Sequence, residues 1–151
     1  MATLIGSIAA GNTIVLKPSE YAPKTSEIIS EIISSVFEEG HVKAITGGPK
    51  VATELLKLRW DHIIFTGSTK IGKIIAAAAA KHLTPTILEL GGKSPCIVDQ
   101  TAKIKVSSKR IAWAKFINCG QTCIAPDYIL VHNEIKELSL IHISEPTRRS
   151  M

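Results

Sequence analysis

Aromatic residues and clustered positive charge are both scarce in this sequence of 151 residues. Phe, Trp and Tyr make up 5% of the chain, and the net charge of +5 comes from basic residues that are scattered rather than grouped. A nucleic-acid-binding domain more often carries a basic stripe together with aromatic side chains for base stacking. The composition therefore argues against a nucleic-acid partner.

Long apolar runs and cysteines are also scarce. The longest apolar run, Ile74 to Ala80, is too short to span a bilayer, and residues 1–10 lack the basic start of a signal peptide. Three cysteines favour a reducing compartment over a disulfide framework. The five histidines are dispersed, so no metal site is expected. We expect a cytoplasmic location and no membrane segment in this chain.

Strand-like and helix-like segments alternate along the rest of the sequence. Short runs of branched apolar residues predict buried parallel strands, and longer runs with apolar residues at helical spacing predict helices. The predicted strands are 13–16, 42–45, 62–66, 86–89, 96–98 and 128–131, and the predicted helices are about 4–10, 25–40, 51–58, 67–81 and 103–116. Thr25 is expected to cap the second helix. The alternation predicts an open, mostly parallel α/β sheet.

The first predicted strand ends in a polar tetrapeptide, Lys17-Pro18-Ser19-Glu20. Because Pro18 cannot continue a strand ladder, Lys17 and Glu20 are expected at the carboxyl end of the strand, where open α/β sheets bind ligands. Taken alone, these residues favour the alternative of a solvated charge pair in a loop.

A turn with two glycines, Gly67-Ser68-Thr69-Lys70-Ile71-Gly72, joins the third strand to a long helix. The N–H groups and the dipole at such a helix start favour an anion. Thr69 stands where a dinucleotide fingerprint has its second glycine, and Ile74 stands where a phosphate-binding P-loop has its hydroxyl residue. What remains is a weak phosphate-binding signal, and an ordinary helix start is the alternative.

A candidate nucleophile, Cys123, follows Gly120, Gln121 and Thr122 between a predicted helix and a predicted strand. This position predicts a connecting loop, a common location for catalytic groups, in which a thiolate could act as a nucleophile. The alternative is a buried, inert cysteine. A candidate base, Glu89, ends a predicted strand beside a glycine pair that leaves its carboxylate room to move.

Four motifs in order resemble the aldehyde dehydrogenase superfamily. They are Gly11-Asn12-Thr13-Ile14-Val15-Leu16-Lys17-Pro18-Ser19-Glu20, Phe65-Thr66-Gly67-Ser68-Thr69, Glu89-Leu90-Gly91-Gly92-Lys93-Ser94-Pro95 and Asn118-Cys119-Gly120-Gln121-Thr122-Cys123-Ile124-Ala125-Pro126-Asp127-Tyr128. The last motif is similar to the fatty- and aromatic-aldehyde branch of the family. The resemblance implies that residues 1–88 are a partial Rossmann-like, NAD(P)-binding domain and that residues 89–137 begin a catalytic domain.

The resemblance also implies roles for the candidate residues. Cys123 would attack a small aldehyde to give a thiohemiacetal and then a thioester, and Glu89 would activate the water that releases the carboxylic acid. Lys17 and Glu20 would hydrogen-bond the adenosine ribose of NAD or NADP. The family's cofactor turn, where the pyrophosphate lies near a helix N-terminus, would be formed by Gly67, Ser68 and Gly72. The glycine pair Gly91 and Gly92 would let cofactor and backbone approach closely.

Parts of the family pattern are missing from the sequence. The motif that carries the oxyanion-hole asparagine would lie upstream of Gly11, and the half that carries a second glutamate, the substrate tunnel and the oligomerisation strand would lie downstream. We therefore expect the parent protein to be a homo-oligomer and the 151-residue chain itself to have little or no turnover. Residues 138–151 resemble a translated sequencing-library adapter, so we expect a non-native tail there and exclude it from fold reasoning.

Two alternatives to an enzyme fragment remain open at this point. The chain could be a partial nucleotide-binding module that holds NAD(P)+ weakly without catalysis. It could also be a gene-model product that cannot fold stably because it exposes apolar surfaces that a missing half should cover.

Overall fold

The computed structural model describes residues 2–137, and these residues form an alternation of short strands and helices. The expected non-native tail, 138–151, lies outside the described residues. The elements are α1 (Ala2–Ala9), β1 (Ile14–Leu16), α2 (Pro23–Val36), β2 (Val42–Ala44), α3 (Pro49–Leu55), β3 (Ile63–Thr66), α4 (Thr69–Ala80), β4 (Thr86–Glu89), β5 (Ser94–Val98), α5 (Ile104–Phe116) and β6 (Pro126–Val131). The predicted α/β architecture is confirmed, and most element boundaries agree within two residues.

The described strands associate in pairs. β1 pairs with β2, β3 with β4, and β5 with β6. The β1–β2 and β5–β6 pairs are parallel. In the third pair, Ile63 N donates to Pro85 O at 3.1 Å and Gly67 N donates to Glu89 O at 3.0 Å, so these two strands also run in the same direction. The predicted parallel pairing is confirmed, whereas a continuous ladder across all six strands is not formed.

Contacts divide the chain into two units. Within residues 2–137, the first comprises the residues up to Thr66 together with Lys70–Leu88, and the second comprises Gly67–Thr69 together with the residues from Glu89 to Glu137. The assignment of a cofactor-binding role to residues 1–88 and a catalytic role to 89–137 stays a prediction.

The hydrophobic core of the first unit joins α1 and α2 to the β1–β2 pair. Its buried centre is Leu4, Ile33 and Val42, and Val42 is 2% exposed. Partly buried side chains packed against this centre are Ile8, Ile14, Leu16, Ile29, Phe37 and Ala44. Burial of these branched side chains is the main favourable term that holds β1, and therefore the Lys17 to Glu20 segment, in place.

The start of α2 differs from the expectation. Thr25 was expected at the N-cap, but the helix begins at Pro23, and Ala22 occupies the cap position without a side-chain hydrogen bond. Proline is favoured in the first turn because its ring fixes φ near the helical value and its missing N–H has no partner to lose there. Proline chemistry therefore decides this boundary, and Thr25 lies inside the helix.

The second unit is built on the β5–β6 pair and α5. The five residues of β5, Ser94 to Val98, pair with β6. The register of this pairing shifts by one residue between Ser94 and Pro95. Helix α5 contacts β6, and Val98, Ala125 and Ser108 are buried. The parallel pairing brings the start of β5 beside the start of β6, which places the residues just before each strand next to each other.

None of the helices in residues 2–137 is long and apolar enough to cross a membrane.

Candidate active site

Cys123 lies in the second of two tight turns that connect α5 to β6. The first turn is closed by Gln121 N, which donates to Asn118 O at 3.0 Å, and the second by Ala125 N, which donates to Thr122 O at 3.0 Å. Cys123 falls within the second turn, and its side chain is free and exposed. The prediction that this thiol lies on a loop between a helix and a strand is confirmed, and Cys123 is exposed rather than buried. Its role as a nucleophile stays a prediction.

The first of these turns has a left-handed backbone. Asn118, Cys119 and Gly120 all have positive φ, at 52°, 55° and 75°. Glycine adopts this region without cost and asparagine tolerates it, whereas a cysteine there is strained by about 1–3 kcal/mol. A strained conformation persists where its surroundings hold it, which indicates that the entry to the Cys123 turn has a defined shape. Sequence reasoning did not find this feature, although Asn118 and Gly120 are residue types that favour it.

Gly92 packs directly against the backbone of Cys123. A Cβ added at Gly92 would clash with the carbonyl oxygen of Cys123 and would lie 3.2 Å from its carbonyl carbon. Ser94 Oγ donates to the same carbonyl oxygen at 3.4 Å. The loop between β4 and β5 therefore contacts the cysteine loop at the candidate nucleophile itself. The sequence indicated that the glycine pair permits close approach, but it did not identify Cys123 as the group approached.

Glu89 is the last residue of β4, and it opens the loop that reaches Cys123. Its side chain is exposed, and its backbone carbonyl accepts a hydrogen bond from Gly67 N at 3.0 Å. Gly67, Glu89, Gly92 and Cys123 all belong to the second unit. The structure thus holds the segment that carries the candidate base at both ends, at Gly67 on one side and at Cys123 on the other.

Lys17 and Glu20 form an ion pair immediately after β1. Lys17 Nζ donates to Glu20 Oε2 at 2.9 Å and to Pro18 O at 3.0 Å, and the side chains are 19% and 32% exposed. The hydrogen bond from Lys17 holds the pKa of the Glu20 carboxyl group below its usual value. The prediction that both residues lie at the carboxyl end of a strand is confirmed, and each still presents polar atoms that a ligand hydroxyl could engage.

The predicted glycine and serine positions fall into three places. Gly67 and Ser68 occupy the exposed connection between β3 and α4, Gly72 is buried in the first turn of α4, and Gly91 is exposed in the loop between β4 and β5. A helix start that follows a strand favours an anion such as a pyrophosphate. Two of these residues lie close to Glu89 within the second unit. Gly67 N donates a hydrogen bond to the Glu89 carbonyl, and Gly91 follows Glu89 by two positions in the chain.

No metal-binding cluster is present in the part of the chain that the structure describes. Among residues 2–137, no three His, Cys, Asp or Glu side chains form a group that could hold a metal ion.

Comparison with known proteins assigns the chain to a family. The family model described as the aldehyde dehydrogenase family matches residues 1–149. Aldehyde dehydrogenase family 3 member A2 of Mus musculus is 48% identical over 148 residues, which cover 98% of this chain and 31% of the relative. The dimeric, NADP-preferring aldehyde dehydrogenase of Mus musculus is 54% identical over 138 residues, which cover 89% of this chain and 30% of the relative.

A solved structure shows the same fold. The substrate-bound state of Staphylococcus aureus AldH matches with a TM-score of 0.90 and 48% identity, covering 95% of this chain and 31% of that chain. With this structural agreement and the family match over almost its whole length, the chain belongs to the aldehyde dehydrogenase family. It spans about 30% of the length of the curated relatives that it matches.

Substitution of the two neighbouring glycines should have unequal effects. We expect Gly92→Ala to cost roughly 1–3 kcal/mol of stability, because the new methyl group must displace the Cys123 carbonyl. Gly91→Ala is the matched control, since a Cβ there meets nothing within 4 Å, and we expect it to change stability by less than about 0.5 kcal/mol. Urea unfolding of the three proteins measures both effects. Equal losses in the two variants would contradict the close approach.

The ion pair after β1 should be visible in a pH titration. Because the pKa of Glu20 is lowered in the folded chain, the pair is formed above the ordinary glutamate pKa and is lost as the pH falls through the lowered value. We expect Lys17→Met to raise the Glu20 pKa, measured from its side-chain carboxyl ¹³C shift. Lys57→Met, which removes the Lys57–Glu54 pair at the end of α3, is the control and should leave the Glu20 pKa unchanged. If the Glu20 pKa is the same in Lys17→Met as in the unaltered chain, the ion pair is ruled out.

Proposed function

We propose that the protein to which this chain belongs oxidises an aldehyde to a carboxylic acid with NAD or NADP, with Cys123 as the nucleophile and Glu89 as the general base. Membership of the aldehyde dehydrogenase family supports the class of reaction. The observation that carries the residue assignment is the contact of Gly92 and Ser94 with the Cys123 carbonyl, since it brings the loop that begins at Glu89 to the exposed thiol.

The first half of the reaction depends on the thiol. The thiolate form of Cys123 attacks the aldehyde carbonyl carbon, a C–S bond forms, and the carbonyl oxygen gains negative charge as the thiohemiacetal develops. The backbone N–H of Cys123 lies beside the new bond and is proposed to donate a hydrogen bond to this oxygen. An exposed thiol on a fixed loop suits this step, because the substrate has access while the loop backbone stays in place.

The second half of the reaction depends on the carboxylate. NAD(P)+, when bound, supplies the acceptor for the hydride that leaves the thiohemiacetal carbon, and this loss leaves a thioester on Cys123. Glu89 then takes a proton from a water molecule, the resulting hydroxide attacks the thioester carbonyl, and the C–S bond breaks to release the carboxylic acid and the thiolate. Glu89 suits this role because its side chain is exposed and the adjacent Gly91 has open space around it.

The residues after β1 and β3 are proposed to hold the cofactor. Lys17 and Glu20 offer an ammonium donor and a carboxylate acceptor side by side, a combination that fits two neighbouring ribose hydroxyl groups. Gly67 and Ser68 come directly before α4, whose start favours a pyrophosphate, and Gly72 is buried in its first turn. Gly91 adds a place where a side chain would otherwise limit approach. NAD and NADP both remain candidates, and one relative is described as NADP-preferring.

The wider properties of the protein follow from the family and are proposals of the same kind. The substrate is a small aldehyde. A homo-oligomer is expected, and the relative described as dimeric supports this. A reducing compartment such as the cytoplasm agrees with the three free cysteines.

A chimera tests the function directly, because this chain spans about 30% of its relatives. Residues 1–137 replace the matching stretch of the mouse NADP-preferring relative, and aldehyde-dependent formation of reduced cofactor is followed by absorbance. We expect an active chimera, loss of activity to background in Cys123→Ser, and near-full activity in the control Cys119→Ser, whose thiol lies on the same loop.

Glu89→Gln in the same chimera separates the two halves of the reaction. We expect an initial burst of reduced cofactor close to one equivalent per subunit and then turnover slowed by about 10²–10⁴-fold, because thioester hydrolysis loses its base. An active Cys123→Ser chimera would overturn the nucleophile assignment. A Glu89→Gln chimera with unchanged steady-state turnover would overturn the base assignment.

A further inference from the structure

An ion pair connects the loop that follows Glu89 to the start of β6, directly after the loop that contains Cys123. Lys93 Nζ lies 3.0 Å from Asp127 Oδ2, with the Lys93 side chain 82% exposed and the Asp127 side chain 30% exposed. The other ion pairs within residues 2–137 join residues three or four positions apart and therefore support only local structure. The Lys93–Asp127 pair instead joins the loop before β5 to the second residue of β6, 34 positions along the chain.

An irregularity in the strand pairing accompanies this ion pair. Ser94 pairs with Pro126, but the next residue, Pro95, pairs with Tyr128, so Asp127 is an extra residue without a partner on β5. Extra residues of this kind bend a strand and redirect a side chain, and they are common next to active sites. Here the shift places the Asp127 carboxylate against Lys93.

The pair belongs to a set of three adjacent contacts. Gly92 packs against the Cys123 carbonyl, Lys93 pairs with Asp127, and Ser94 Oγ donates to the Cys123 carbonyl. We propose that Lys93 and Asp127 are positioning residues that hold the Glu89 loop and the Cys123 loop in register, so that the base and the nucleophile act on the same bound group. The catalytic meaning of this inference rests on the proposed function, whereas the ion pair can be tested separately from it.

An ion pair can align two segments here while contributing little to the free energy of unfolding. Gly92 and Ser94 contact the Cys123 carbonyl at short range, and Lys93 adds an attraction to Asp127, four residues after Cys123 in the chain. An exposed ion pair contributes little to overall stability and is screened by salt. Its loss should therefore loosen the alignment of the two loops without unfolding the chain.

Cross-linking between positions 89 and 123 measures this alignment. The reference protein carries Glu89→Cys, with Cys96→Ser and Cys119→Ser so that two thiols remain. It reacts with a short bis-alkylating reagent that fluoresces when both arms have reacted. We expect efficient intramolecular cross-linking at low salt, and a yield about two- to fivefold lower in Lys93→Met or Asp127→Asn. The control Lys24→Met, which removes an exposed ion pair within the first unit, should leave the yield unchanged.

Charge reversal and salt separate an ion pair from a general packing role. The exchanged pair K93D/D127K should restore most of the cross-linking, and high salt should lower the reference yield while leaving Lys93→Met unaffected. Equal yields in the reference, Lys93→Met and Asp127→Asn would overturn the positioning role. A loss that neither charge exchange nor salt modulates would overturn the ion pair as its cause.

The outcomes also separate this inference from the proposed function. If the reference protein itself forms no intramolecular cross-link, positions 89 and 123 do not share a site and both proposals fail. If the reference protein cross-links and the yield is unchanged in Lys93→Met and Asp127→Asn, the positioning role fails while the proposed function stands. Should the cysteine background fail to fold, amide hydrogen exchange at 122–125 in the otherwise unaltered chain replaces the readout. Exchange there should be faster in Lys93→Met, and an unchanged rate would contradict the role.

Discussion

The contact between Gly92 and the carbonyl group of Cys123 is the constraint on which the candidate site depends. A glycine is required there because a Cβ would occupy the space of the carbonyl oxygen. Since Glu89 and Gly92 are three residues apart, this contact fixes how far the carboxylate can lie from the thiol loop. The anchoring of the Glu89 carbonyl by Gly67 limits the segment at its other end. Leu90 and Gly91 lie between Glu89 and Gly92, and the Glu89 side chain is exposed.

The parallel pairing of β5 and β6 explains how two distant parts of the sequence meet. Both strands begin at the same edge, so the residues that precede them, Lys93 on one side and Cys123 to Ala125 on the other, become neighbours. The left-handed turn at Asn118 to Gly120 then brings the chain from the end of α5 to this edge within a few residues. The buried Val98 and Ala125 anchor the pair, so core packing supports the geometry of the loops.

Sequence reasoning found the architecture and the candidate residues but not the contacts between them. Apolar periodicity predicted the helices and the parallel strands because burial imposes a regular pattern, and the family motifs pointed to Cys123 and Glu89. The start of α2 was missed at Thr25 because proline at position 23 outweighs a hydroxyl cap. The Lys93–Asp127 pair and the extra residue in β6 left no pattern to detect, because both depend on the register of strands far apart in sequence.

In the proposed reaction, Cys123 forms an acyl intermediate that Glu89 removes. Acid quenching of the chimeric enzyme during turnover, followed by trypsin digestion and mass spectrometry, measures it directly, because Lys115 and Lys136 bound one peptide that contains both Cys119 and Cys123. We expect the acyl group of the aldehyde on Cys123, at higher occupancy in Glu89→Gln. An acyl group on Cys119, or no acyl group in either protein, would contradict it.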